Sequence, residues 1–107
     1  MNIVFLQSAE TDLKDLRHYI LKSFGKDVWQ TSYGKIKEAV AMVQAHPRAG
    51  RMPAELESLN IAQYRQVLSG MNRIIYEVRA GTIYIHIVCD TRQDLQGLLL
   101  RRIVNSG

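Results

Sequence analysis

Arg73-Ile74-Ile75-Tyr76-Glu77-Val78-Arg79-Ala80-Gly81-Thr82-Ile83-Tyr84-Ile85-His86-Ile87-Val88-Cys89 is the stretch that decides the fold. Arg73–Val78 and Thr82–Cys89 are rich in β-branched and aromatic residues, and Ala80-Gly81 between them is a turn signal. A third strand, Gln63–Leu68, precedes them across the turn Ser69-Gly70 with Met71 and Asn72. Turns this short force consecutive strands to pair antiparallel. Period-two alternation places Ile74, Tyr76 and Val78 on one face of the second strand and Arg73, Ile75 and Glu77 on the other. The first face is expected to be core, and the second to carry charge.

Working towards the N-terminus, Arg48–Ala62 has no sustained period and is broken by Gly50 and Pro53, with room for a short helical turn at Glu55–Leu59. A connection of this length in a compact domain is often functional. Before it, Trp29, Tyr33, Ile36, Val40 and Val43 recur at four-three-four-three spacing from a start at Asp27. That helix stops at His46-Pro47, because the residue before proline is pushed out of the α region. The aromatic stripe on it reads as core. Ala9, Leu13, Leu16, Ile20 and Phe24 define an earlier helix over 9–24, with Ser8 as N-cap and Gly25 as the residue that ends it. Two helices joined so tightly form an antiparallel hairpin. Asn2–Leu6 is a short strand.

Towards the C-terminus, Asp94–Ile103 reads as a closing helix. Its Leu98, Leu99 and Leu100 need a surface to cover them, either the domain's own sheet or another chain. The expected fold is α+β, a single domain over residues 1–107. It has an N-terminal strand, an antiparallel helix hairpin packed on one face of a small antiparallel sheet, and a short C-terminal helix.

Composition narrows the chemistry. The 107 residues carry a net charge of +4, unevenly distributed. All five lysines lie at or before Lys37, and eight of nine arginines lie at or beyond Arg48. Arginine is a rigid donor fork for phosphate or carboxylate, so the second half is biased towards anions. No apolar run approaches the roughly 20 residues a membrane span needs. The N-terminus has no signal-peptide pattern, so no membrane partner and a cytoplasmic address are expected. The single cysteine, Cys89, has no internal partner and reads as a buried, inert thiol. The glycines are scattered, and His18, His46, His86 and Cys89 lack metal spacing, so neither cofactor nor metal is expected. His18 reads as a surface residue. His86 lies mid-strand, facing opposite to Ile85 and Ile87, and reads as a sheet-surface histidine rather than a catalytic one.

Arg65, Arg73 and Arg92 remain, each at or near a strand end of one sheet. One arrangement is a solvated face with Glu77 and Asp94 as ion-pair partners. The other is convergence on a phosphate or carboxylate, to stabilise transferring charge or anchor a nucleic-acid backbone.

An ordered set of motifs resembles the ParE/RelE toxin superfamily over nearly the whole chain. It comprises Ala9-x-x-Asp12-Leu13-x-x-Leu16-x-x-Tyr19-Ile20, His46-Pro47-x-x-Gly50-Arg51, Tyr64-Arg65, Arg73-Ile74-Ile75-Tyr76-Glu77-Val78 and Arg92-Gln93-Asp94. The resemblance implies the toxin half of a type II toxin–antitoxin system, neutralised by a cognate antitoxin in a hetero-oligomer. The first and second motifs lean towards ParE, whose members inhibit DNA gyrase. The alternative is a RelE-like endonuclease that cuts mRNA on the ribosome. Under that alternative, Arg65, Arg73 and Arg92 stand where such enzymes place basic functional residues. The chain departs from the nuclease pattern after Arg92, because Gln93–Gly107 contains no tyrosine, histidine or lysine. Asp90 also stands where many relatives have histidine. RNA cleavage needs proton transfer, and an arginine that stays protonated is a poor base. Antitoxin or target contacts are expected from Arg51, Arg65, Arg73, Arg92, Leu98 and Arg101.

Overall fold

Two tight turns set the late sheet. In the computed structural model, which describes residues 1–59 and 61–105, with side chains through Arg102, Ala80 and Gly81 sit at φ 49° and 80°. Positive φ at both central residues matches the twist of the hairpin they join. They connect β3 (Asn72–Arg79) to β4 (Thr82–Asp90), and Gly70, at φ 60°, opens the turn from β2 (Tyr64–Ser69) into β3. Both pairings are antiparallel, from Tyr64 opposite Glu77 to Ser69 opposite Asn72 and from Asn72 opposite Asp90 to Arg79 opposite Thr82.

The remaining elements are β1 (Asn2–Phe5), α1 (Gln7–Ser23), α2 (Lys26–Ala45), α3 (Ala54–Glu57) and α4 (Leu95–Asn105). Strand order is β1-β4-β3-β2, and β1 runs parallel to β4, from Asn2 beside Thr82 to Phe5 beside Ile85. The sheet is therefore mixed, whereas the sequence predicts an antiparallel one. Short turns dictate direction only for the last three strands. The first is linked to them through the helices, and a connection that long permits parallel pairing.

Helices cover both faces of the sheet, another departure from the expected one-sided arrangement. On one face Ala9 of α1 and Ile36 and Val43 of α2 pack on Val67, Ile74, Tyr76, Ile83, Ile85 and Val88. On the other, Leu56 of α3 and Leu95 and Leu99 of α4 pack on Tyr64, Ile75 and Ile87. The α4 leucines thus find their surface on the domain's own sheet, except Leu100, which is exposed. Ile75 has no solvent contact, so the face expected to carry charge is a second small core with charge at its margins.

A bulge in β4 explains another difference. Ile75 pairs with Ile87 and Tyr76 with Ile85, leaving His86 as the extra residue. A bulge interrupts strict alternation, so His86 shares the second face with Ile87. There its ring meets Tyr64 edge-on at 5.1 Å and its Nε2 lies 2.9 Å from the Glu77 carboxylate.

The helix hairpin is as expected, with its details shifted. Helix α1 begins at Gln7, capped by Leu6 without a side-chain bond; the Ser8 hydroxyl donates instead to the His86 carbonyl at 3.4 Å. Gly25, at φ 94°, links the two helices. The aromatic start of the α2 seam is not core, because Tyr33 is exposed and stacks at 5.2 Å on half-buried Trp29. One polar clamp joins three elements. Asp12 of α1 accepts the Val88 N–H at 3.0 Å and an Arg102 N–H at 2.6 Å, while Arg102 also donates to the His86 carbonyl. Burial pushes the Asp12 carboxyl up, against the pull of those two donors. The clamp satisfies backbone groups of β4 beyond the point where β1 ends.

Candidate functional site

The loop between α2 and α3 is held from the sheet. Tyr76, fully buried, donates its hydroxyl to the Pro47 carbonyl at 2.7 Å and accepts the Gly50 N–H at 3.0 Å. Arg65, opposite Tyr76 on β2, donates from Nη1 to the carbonyls of Gly50 at 2.9 Å and Arg48 at 3.2 Å. Arg51 then exchanges two backbone hydrogen bonds with Gln66, covering the outer edge of β2. The His46-Pro47-x-x-Gly50-Arg51 motif is therefore a strap whose polar groups close on two side chains of the sheet. The Arg51 side chain is left exposed.

Arg73 has a different setting. Its guanidinium is buried and donates to Glu55 of α3 at 2.5 Å, to the Gln93 carbonyl at 3.1 Å and to the Gln66 side chain at 3.2 Å. Its Nε has no partner among the described residues. The Arg73 hydrogen bond holds the Glu55 carboxyl below its ordinary value, against a smaller opposing effect of burial. Arg73 also neighbours Cys89, whose thiol is pushed up by burial despite that cation. Cys89 is half-buried rather than fully enclosed.

The ion pair implies an acid-sensitive attachment of α3. A carboxyl whose folded value is depressed contributes stability above its ordinary value of 4.5, and that contribution is lost as pH falls through the depressed value. Glu55→Gln is therefore expected to flatten the fall in urea midpoint between neutral and acid pH relative to the parent chain. Identical acid profiles would show that the pair does not contribute.

Arg92 is exposed and folds back on Asp90, with bonds of 2.8 and 3.1 Å, which hold the Asp90 carboxyl low. The ion-pair partners expected for these arginines serve other groups. Glu77 pairs with Arg79 and His86, and Asp94 accepts the Gly97 N–H at the start of α4. Leu98 is half-buried against the second core, and Arg101 is exposed.

Arg65, Arg73 and Arg92 are therefore not brought to one point. Arg65 is paired with Tyr76, three positions from Arg73, and an odd separation along a strand places the two on opposite faces. Arg92 turns away to Asp90. Arg73 and Glu77, the acid beside His86, are four residues apart on β3, or about 13 Å. The paired acid and histidine thus stand away from the buried guanidinium.

A strand, a helix hairpin and a three-stranded meander closed by a short helix make this an α+β domain with helices on both faces of a mixed sheet. The same architecture recurs in solved structures of low identity. The chromosomal ParDE toxin–antitoxin system of P. aeruginosa matches with TM-score 0.69 and 18% identity, over 84% of this chain and 95% of that one. The isolated E. coli RelE toxin matches with TM-score 0.56 and 16% identity, over 95% and 97%. The Staphylococcus aureus YoeB dimer matches with TM-score 0.57 and 22% identity, over 87% and 98%. No curated protein sequence matches. Residues 3–95 match the profile of the ParE toxin of type II toxin-antitoxin system, parDE, and the chain belongs to that family.

Proposed function

We propose that this ParE-family chain acts by binding DNA gyrase and blocking replication, and that a cognate antitoxin neutralises it in a toxin–antitoxin hetero-oligomer. The observation that carries this reading over mRNA cleavage is the dispersal of the arginines. Arg73 is locked to Glu55, Arg92 to Asp90, and Arg65 lies on the other face of the sheet. The RelE-like alternative needs Arg65, Arg73 and Arg92 to converge on one phosphate together with a proton-transfer group. A protein-binding toxin needs neither, nor a cofactor. Gyrase and a cytoplasmic antitoxin share the compartment this reading requires.

Antitoxin contact is assigned to the helix hairpin and a sheet edge, with acidic residues facing the arginine-rich half. Exposed Arg51 and Arg101 are available for it, together with the accessible part of Leu98, and Arg92 can join them by exchanging its Asp90 partner for an antitoxin acid. Inducing the chain without an antitoxin tests the reading. The expected result is an SOS response with gyrase-linked DNA breaks preceding growth arrest. Rapid, codon-biased mRNA cleavage without DNA damage would establish the ribosomal alternative instead.

A further inference from the structure

Where α1 passes into α2, the hairpin faces the turn from β2 into β3, and a cleft of about 350 Å³ opens between them. Its walls are apolar, with Tyr19, Ile20, Phe24 and Val28 from the hairpin and Met71 from the turn. Tyr19 and Phe24 are exposed and meet edge-on, their ring centroids 6.0 Å apart. The floor is polar. Ser69 and Asn72 pair across the β2–β3 ladder, and alternation puts both on the hairpin side of the sheet with Val67 and Ile74. Ser69 is only 6% exposed, yet its hydroxyl has no hydrogen-bond partner among the described residues. Buried hydroxyls ordinarily have one. Asn72 adds a carboxamide, which both donates and accepts. Two cations reach the cleft. Arg92 is spent on Asp90, whereas Lys35 has no acid within ion-pair distance among the described residues.

We infer that this cleft binds one nucleobase together with its phosphate, either as a free nucleoside monophosphate or as a single unpaired base of a strand. The exposed rings of Tyr19 and Phe24 give a planar heterocycle an aromatic surface to stack on. The Ser69 hydroxyl and the Asn72 carboxamide can read the donors and acceptors on its edge. A hydrocarbon side chain from a protein partner would fill the same walls but leave the Ser69 hydroxyl unsatisfied, and a base supplies the missing acceptor. The size suits one base and its sugar, being at the small end of ligand sites. One free ammonium suits one phosphate. The Lys35 stem lies against Gly70, so reaching for that phosphate draws it away from the floor and uncovers Ser69. Neither Arg65 nor Arg73 lines the cleft, and the inference does not depend on whether gyrase or mRNA is the target.

The test is an NMR titration of the isotope-labelled full chain with AMP, with adenosine, with a short oligo-dA single strand and with a DNA hairpin duplex. AMP is expected to shift the Ser69, Gly70 and Asn72 amides and to give contacts between its base protons and the Tyr19 and Phe24 rings. Adenosine is expected to bind about threefold more weakly, and Lys35→Gln to remove that difference. Ser69→Ala is expected to weaken AMP about fivefold at unchanged stability, because the hydroxyl has no partner to lose on the protein. Phe24→Ala, at an exposed position, is expected to weaken it about tenfold. Tighter binding of the single strand than of AMP would assign the site to an unpaired base, and binding of AMP alone to a free nucleotide; either upholds it. Absence of shifts at these residues, AMP affinity unchanged in Ser69→Ala and Phe24→Ala, equal affinity for adenosine and AMP, or preference for the duplex would overturn the inference. A supercoiling assay run in parallel keeps the two ideas apart, since base binding without gyrase inhibition would sink only the functional reading.

Discussion

Gly50→Ala is expected to destabilise the fold by about 3 kcal/mol, a loss of roughly 10–20 °C in Tm. A Cβ at this position would fall inside contact distance of the Tyr76 hydroxyl, 2.8 Å from Tyr76 Cε1 and 2.9 Å from the Gln66 carbonyl. None of these can give way cheaply. Tyr76 is fully enclosed in the core beneath the helix hairpin, and the Gln66 carbonyl is bonded to the Arg51 N–H. Relief requires breaking either the Arg51–Gln66 bridge or the two hydrogen bonds of the Tyr76 hydroxyl. Gly34→Ala is the matched control, being inside α2 with open space around it. Removing a helical glycine there is expected to raise stability by about 0.5–1 kcal/mol. Chemical denaturation of the three chains measures both effects. Parental stability in Gly50→Ala would mean that the strap is not locked to the sheet.

Arg73→Ala is the second large effect, at about 3 kcal/mol. The substitution removes three hydrogen bonds from a buried guanidinium and leaves Glu55 without its cation. Glu55 is about a third exposed, so water recovers part of the loss on its side. A double-mutant cycle isolates the pair. Glu55→Gln with Arg73→Met is expected to cost less than the sum of the two single changes, because neither the guanidinium nor the carboxylate is then left without its partner. Strict additivity would show that Arg73 acts through packing alone. Function separates the same variant in another way. Arg73→Ala that folds at low temperature is expected to keep gyrase inhibition per folded molecule, whereas a ribonuclease dependent on this guanidinium would lose cleavage.

The division of the fold into legible and illegible parts follows from the range of each signal. The helix hairpin and the β2–β3–β4 meander are written in local periodicity and in turns at Gly70 and Ala80-Gly81, so short windows of sequence suffice. The parallel placement of β1 is not local, since it depends on where a long connection returns the chain. Nor does the bulge at His86 announce itself, because neither glycine nor proline marks it and the apolar run Ile85-His86-Ile87-Val88 suits either alternation. Both effects hid the second core, which forms only when α4 folds back over Ile75 and Ile87.

The candidate site divides in the same way. The His46-Pro47-x-x-Gly50-Arg51 motif was visible, but its partner, the Tyr76 hydroxyl, reads in sequence as one more large apolar residue on the core face. Glu55 gave no signal, lying in a segment without periodicity 18 residues from Arg73. The Asp12–Arg102 clamp spans 90 residues and was equally silent. Alternation alone could have shown that Arg65 and Arg73 diverge, once the register between β2 and β3 was known.

In the proposed function this chain disables gyrase by binding, with no phosphate chemistry of its own. The most direct test incubates purified chain with DNA gyrase, relaxed plasmid and ATP, beside a translating extract charged with a reporter mRNA. The expected result is dose-dependent loss of negative supercoiling with accumulation of cleaved plasmid, while the reporter mRNA stays intact. Full supercoiling at a molar excess of the chain, together with mRNA cut in the extract, would contradict it.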